Sequence, residues 1–119
     1  MKYMLLFYSN EAAGLPEADQ AGIYADWMNV LKEATAAGVL RFNSGLAPVS
    51  NATTVRVREN KTLTTDGPFA ETREQLGGYF LVDAPNLDEA IRIAERIPAV
   101  RWGTVEIRPV MDIPGLPEK

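Results

Sequence analysis

The segment Thr65-Asp66-Gly67-Pro68-Phe69-Ala70-Glu71-Thr72-Arg73-Glu74 gathers four charged side chains, Asp66, Glu71, Arg73 and Glu74, around a turn too short to bury them. Asp-Gly-Pro turns a chain for three separate reasons: Asp bonds nearby backbone N–H groups, Gly permits φ > 0, and Pro fixes its own φ and removes a donor. A turn this rigid presents Phe69 and Glu71 in a defined direction. A carboxylate held in that way can act as an acid or base, and it is also a good ligand group.

Asp66 has two readings. If it lines an apolar cavity, desolvation disfavours its charge, and it becomes a candidate catalytic acid/base. In an open turn it is a backbone cap. Glu71 and Arg73 either order a substrate or form solvated ion pairs worth about 0–1 kcal/mol. Tyr8 and Tyr79 fall in strongly apolar segments, where they can direct phenols into a pocket or simply pack in a core or interface. Trp102 suits a cavity mouth or the cover of a helix end, and Arg101 beside it is placed to attract an anion.

Histidine and cysteine are both absent. That removes disulfides, thiolate nucleophiles, cysteine zinc sites and the usual general base near neutral pH. Any catalysis must use carboxylates, Tyr, Lys or Arg. No metal is expected, because the remaining all-oxygen sites need a dense carboxylate motif that the chain lacks. Gly77-Gly78 does not have the spacing of a phosphate-binding loop, so it reads as close backbone packing, and no cofactor is expected. A net charge of −4 with no basic run argues against a nucleic-acid partner.

These residues must be positioned by a chain of 119 residues, enough for one domain. No apolar run approaches the roughly 20 residues of a membrane span. The start, Met1-Lys2-Tyr3-Met4-Leu5-Leu6-Phe7-Tyr8, fits a buried strand better than a secretion signal, so a cytoplasmic location and no membrane partner are expected. Lys2 to Tyr8 is apolar on both alternate sets, as in a strand covered on both sides. Pro16 to about Ala37 carries Ile23, Trp27, Leu31 and Ala34 at helical spacing and ends at Gly38. Val39 to Leu46 reads as a strand, and Ala52–Arg58 with Lys61–Thr65 as a half-exposed hairpin turned at Glu59-Asn60. Tyr79 to Val82 is a second doubly apolar strand. Asn86-Leu87-Asp88-Glu89 starts a helix that buries Leu87, Ala90, Ile91, Ala94 and Ile97 and stops at Pro98. Gly103 to Val110 is the last strand.

In order this predicts an α+β fold: a ferredoxin-like βαββαβ core with a β-hairpin inserted between the second and third core strands, in a single domain over 1–111 with a tail at 112–119. In that topology the first and third core strands are central, and they are the doubly apolar ones. Two helices cover only one sheet face, so a homodimer with sheets face to face is expected.

The words Asp66-Gly67-Pro68-Phe69-Ala70-Glu71-Thr72-Arg73-Glu74 resemble the signature of the DGPF-motif branch of the YCII-related family. Met1-Lys2-Tyr3-Met4-Leu5-Leu6, Thr53-Thr54-Val55-Arg56-Val57-Arg58, Gln75-Leu76-Gly77-Gly78-Tyr79-Phe80 and Val105-Glu106-Ile107-Arg108-Pro109-Val110 resemble its other segments in the right order. The resemblance implies a dimeric α/β-barrel fold, a pocket beside the sheet and a link to extracytoplasmic-function sigma factors. Relatives of YCII type are proposed to use a His/Asp pair; here only the Asp half carries over, with Asp66 its best match. Arg73 stands where many relatives have Lys, which keeps the charge and changes the hydrogen-bond geometry.

Two functions of different class follow. The first is a small-molecule-binding dimer with cofactor-independent acid/base activity of isomerase or lyase type on a carbonyl or ring compound. There Asp66 exchanges the proton, a Tyr or Arg stabilises developing charge, and Phe69 excludes water. The second is a non-catalytic module that senses a ligand or contacts a protein such as a sigma factor, a share raised by the missing histidine.

Overall fold

The computed structural model describes residues 1–117; the last two positions of the expected 112–119 tail lie outside the described residues. Strand β1 (Lys2–Ser9) buries Tyr3, Leu5 and Phe7 and leaves Met4, Leu6 and Tyr8 half-buried, the alternation its two apolar sets dictate. A short helix α1 (Glu17–Gln20) and helix α2 (Ile23–Ala36) lead into strand β2 (Leu40–Gly45). Strands β3 (Thr53–Arg58) and β4 (Lys61–Asp66) form a hairpin, followed by strand β5 (Gln75–Asp83), helix α3 (Leu87–Glu95) and strand β6 (Thr104–Pro109).

The sheet order is β2-β5-β1-β6, with every pair antiparallel, and β3-β4 stands apart as a two-stranded sheet. This is an α+β architecture, with the two doubly apolar strands in the middle as expected. Phe80 and Val82 of β5 join Tyr3, Leu5 and Phe7 beneath α2 and α3, where Val30, Ala34, Ala90, Ala94 and Ile97 complete the core. Asn86 caps α3 by accepting the Glu89 backbone N–H at 3.0 Å. Pro98 follows the helix end and opens a 3₁₀ turn, Pro98–Arg101.

Two expectations need correction. The helix expected from Pro16 to about Ala37 is broken at Ala21–Gly22, because glycine in a helix interior carries the largest backbone entropy cost of any residue. The two pieces are tied by Arg101, whose guanidinium reaches Asp19 of α1 at 3.0 Å and Asp26 of α2 at 2.9 Å. Leu87 and Ile91 are not buried but 50% and 38% exposed. The buried stripe runs through Ala90, Ala94 and Ile97; Ile91 is rotated about 100° from Ala90, and Leu87 sits in the first, peripheral turn.

The helices cover one face of the sheet. The opposite face carries Met4, Leu6, Tyr8, Tyr79 and Leu81, with Phe42 at the β2 edge, and no other element of the described residues is packed over it. The molecule is a slab 48 × 45 × 19 Å, its thinnest dimension that of a single sheet with one helical layer. Its radius of gyration, 16.4 Å, exceeds the roughly 13–14 Å of a compact chain of this length, because the hairpin projects. Within β3 and β4 every residue but Thr54 is exposed, so in one chain the hairpin is more open than the half-exposed one its alternation predicts: among the described residues neither of its faces is packed on another element.

Candidate functional site

A cavity of about 250 Å³ lies between α2 and the sheet, at the end where β1, β2 and β5 meet the hairpin connections. Phe7, Trp27, Leu31 and Phe80 form its walls, and Asn43, paired with Phe80, supplies its polar edge. The three rings hold one another in place: Phe7 and Phe80 meet edge to face at 5.1 Å, Trp27 lies 5.5 Å from Phe7, and Trp27 lies 6.2 Å from Phe80. Such tilted contacts fix ring orientation without the repulsion of a face-to-face stack. Gly45 and Gly77 frame the mouth, where the Leu46 N–H bonds the Gly77 carbonyl at 2.9 Å. A Cβ at Gly77 would meet nothing within 4 Å, so the opening there is free. A Cβ at Gly78 would lie 2.7 Å from the Ser44 carbonyl oxygen, which makes Gly78 the member of the pair that serves close packing.

None of the residues singled out for chemistry lines this cavity. Asp66 is the last residue of β4, exposed, and opposite Thr53. Among the described residues its carboxylate accepts no hydrogen bond. The turn is closed by its neighbours instead: the Gly67 N–H bonds the Ala52 carbonyl at 2.7 Å, and the Thr54 hydroxyl donates to the Gly67 carbonyl at 2.8 Å. Gly67 takes φ +99°, as a glycine in such a turn can. Phe69 is 79% exposed, and Glu71 and Arg73 are exposed and share no ion pair among the described residues. The end of the segment is anchored: Gln75 donates to the Thr72 carbonyl at 2.6 Å, accepts from the Glu11 N–H at 2.9 Å, and Glu11 in turn accepts from the Val49 N–H at 3.2 Å. Glu11 and Gln75 thus tie both hairpin connections to the end of β1, a role that sequence reasoning did not assign them.

Tyr8 and Tyr79 share the open sheet face and do not enter the cavity. Tyr8 donates to Glu106 Oε1 at 3.5 Å, and burial together with that carboxylate pushes its phenol pKa up. Tyr79 stacks on Phe42 with ring centroids 6.0 Å apart. Trp102 is half-buried against the core, with the Arg101 guanidinium 5.3 Å from its ring centre. Arg101 is already paired with Asp26 and Asp19, which raise its pKa, so its charge serves the fold before any anion.

A second cavity, of about 240 Å³, opens between α2 and α3 over Val30, Ala34 and Ile93, with the Glu33–Arg96 ion pair at its rim. Its small alanine lining offers no ring and its rim charges are matched, so the aromatic cavity is the better ligand site. Among the described residues no group of three or more Asp or Glu side chains is placed to hold a metal ion, and no helix is long and apolar enough to cross a membrane.

Trp27, Phe7 and Phe80, which read as core in the sequence, and Asn43, which reads only as a strand residue, are the site residues that sequence reasoning missed. The signal available was Asn43, a polar amide inside the strand between Leu40 and Gly45. Residues 1–114 match the YCII-related domain family. A protein of Rhizobium meliloti (strain 1021), described as uncharacterized, is 36% identical over 115 residues, spanning 92% of this chain and 92% of its own length.

Proposed function

The chain belongs to the YCII-related family, and on that premise we propose that it is a small-molecule-binding homodimer of ferredoxin-like fold in the DGPF-motif branch. The strand order β2-β5-β1-β6 supports the fold, and the wording from Asp66 to Glu74 supports the branch. The open face, where Met4, Leu6 and Tyr79 remain only half-buried, supports the dimer, since a sheet buries its apolar residues against a further layer.

The observation that carries the reading is the aromatic cavity: three mutually braced rings and Leu31 around a space with one amide at its edge. At about 250 Å³ it is just below the usual range of ligand pockets, about 300–1,000 Å³, which selects a ligand of one ring. No ionised side chain lines it, which selects a neutral ligand. The Asn43 amide offers a donor and an acceptor, matching a single carbonyl or hydroxyl on that ring. Binding, not turnover, is the activity of one chain by itself, because Asp66, the candidate acid/base, is outside the cavity and carried on the hairpin.

A thermal-shift screen of neutral one-ring carbonyl and hydroxyl compounds tests this, run on the protein and on Gly77→Val. The variant narrows the mouth where a side chain meets nothing. Compounds that stabilise the parent and not the variant support the site. Stabilisation equal in both, or by charged compounds alone, overturns it.

A further inference from the structure

The hairpin has two unlike faces. Residues directly opposite in an antiparallel pair share a face, so Val55 with Thr64 and Val57 with Thr62 make one surface of four β-branched side chains. Arg56 with Leu63 and Arg58 with Lys61 make the other, which is cationic. Val55 and Val57 are 60% and 59% exposed, and among the described residues β3 and β4 share no extended contact with any other element. A two-stranded hairpin by itself is at best marginally stable in water and needs a third layer to hold it. Among the described residues nothing supplies that layer.

The same chain has a surface with the complementary need. On the open sheet face the corner at β2 and β5 exposes Phe42 by 55%, stacked on Tyr79 beside Leu81, and no charged side chain intrudes from the paired positions Ser44 and Leu81. The opposite edge of that face carries Glu106 and Arg108. An apolar hairpin face and an apolar sheet corner occur once each per chain, which is the stoichiometry a two-fold dimer closes by exchange. Charge is compatible with this contact: Arg56, Arg58 and Lys61 all lie on the other face of the hairpin, so the Val55–Val57–Thr62–Thr64 surface meets the corner without burying a cation.

We propose that the β3–β4 hairpin is an exchanged arm: its Val55–Val57–Thr62–Thr64 face seats on the Phe42–Tyr79 corner of a second copy, which returns its own arm in the same way. This rests on the homodimer reading above and adds a second, distinct contact to it. Asp66 lies on the arm's β-branched face, so the exchange brings the carboxylate toward the second copy.

The absence of cysteine makes the test clean. Ser44→Cys beside Tyr79 is mixed with Thr64→Cys on the β-branched arm face, or with Leu63→Cys on the cationic face, and treated with a short bismaleimide; heterodimers are identified by peptide mass. Sedimentation of each mixture is measured in parallel. A dimer in which Thr64→Cys links to Ser44→Cys, with that linkage lost for Leu63→Cys, is the expected result. A dimer that links equally from both faces, or from neither, overturns the arm exchange and leaves the sheet-to-sheet dimer standing. A monomer without linkage overturns both. Val55→Ser with Val57→Ser is expected to weaken the dimer at unchanged circular dichroism, and Arg56→Ser with Arg58→Ser to leave it intact; the reverse order also contradicts the proposal.

Discussion

Phe7 stands directly across from Gly78 on the two central strands, and its ring occupies the space a side chain at 78 would need: a Cβ there would lie 3.2 Å from two of the ring carbons. The glycine lets the ring tilt against Phe80 and Trp27, and that tilt makes the cavity wall. Gly78→Ala is therefore expected to destabilise the protein by about 1–3 kcal/mol, as overpacking does, whereas Gly77→Ala, with open space at its Cβ, changes stability by about 0.5 kcal/mol or less. Urea denaturation of the two variants checks the contrast.

Thr54 takes the turn-capping role that one reading of the sequence gave to Asp66. Thr54 holds the Gly67 carbonyl, so Thr54→Val is expected to cost about 1 kcal/mol. Asp66→Asn and Asp66→Ala are both expected to stay within about 0.5 kcal/mol of the parent, since the exposed carboxylate accepts no bond among the described residues. Equilibrium unfolding of the three variants distinguishes a turn held by the threonine from one held by the aspartate.

How far the fold was legible follows from where its information sits. The doubly apolar runs at Lys2–Tyr8 and Tyr79–Val82 are local patterns, and they name the central strands without any knowledge of partners. Asn86 before Leu87 is a local cap signal, and it caps. The helix break at Gly22 is a balance of small local energies that periodicity does not weigh. The cavity was the least legible feature. Phe7, Trp27, Asn43 and Phe80 come from four elements, and each taken alone is an ordinary core or strand residue. The charged segment after Asp66 was conspicuous because its residues are adjacent, yet adjacency in sequence did not make them converge in space.

The Asp83 carboxylate, bonded to Arg41 at 3.0 Å and to the amino terminus at 3.3 Å, is held below its ordinary pKa chiefly by Arg41. A lowered folded pKa means that the unfolded chain binds the proton more tightly. The stabilisation is therefore complete above the ordinary carboxylate value of about 3.9 and is lost as pH falls through the lower folded value. Asp83→Asn is expected to remove this contribution and flatten the acid limb of the melting temperature against pH. An unchanged acid limb contradicts it.

Leu6 sits at the centre of the open sheet face, between Tyr79 on one strand and Glu106 on the other. Leu6→Glu places a charge there, and burying an unpaired charge at an interface is strongly unfavourable. The variant is expected to sediment as a folded monomer at micromolar concentration while the parent is a dimer. A Leu6→Glu dimer as tight as the parent would place the interface elsewhere.

Trp27 lines the cavity and Trp102 does not, so a Trp102→Phe protein reports the site through one indole. Titration of that protein with a neutral one-ring carbonyl compound from the screen is expected to change Trp27 emission saturably, with the change abolished by Gly77→Val and the affinity weakened about 2- to 10-fold by Asn43→Leu, the loss of one hydrogen bond to the ligand. Saturable binding that leaves Trp27 emission unaltered, or that survives Gly77→Val undiminished, would show that the ligand binds elsewhere and that the aromatic cavity is not the site.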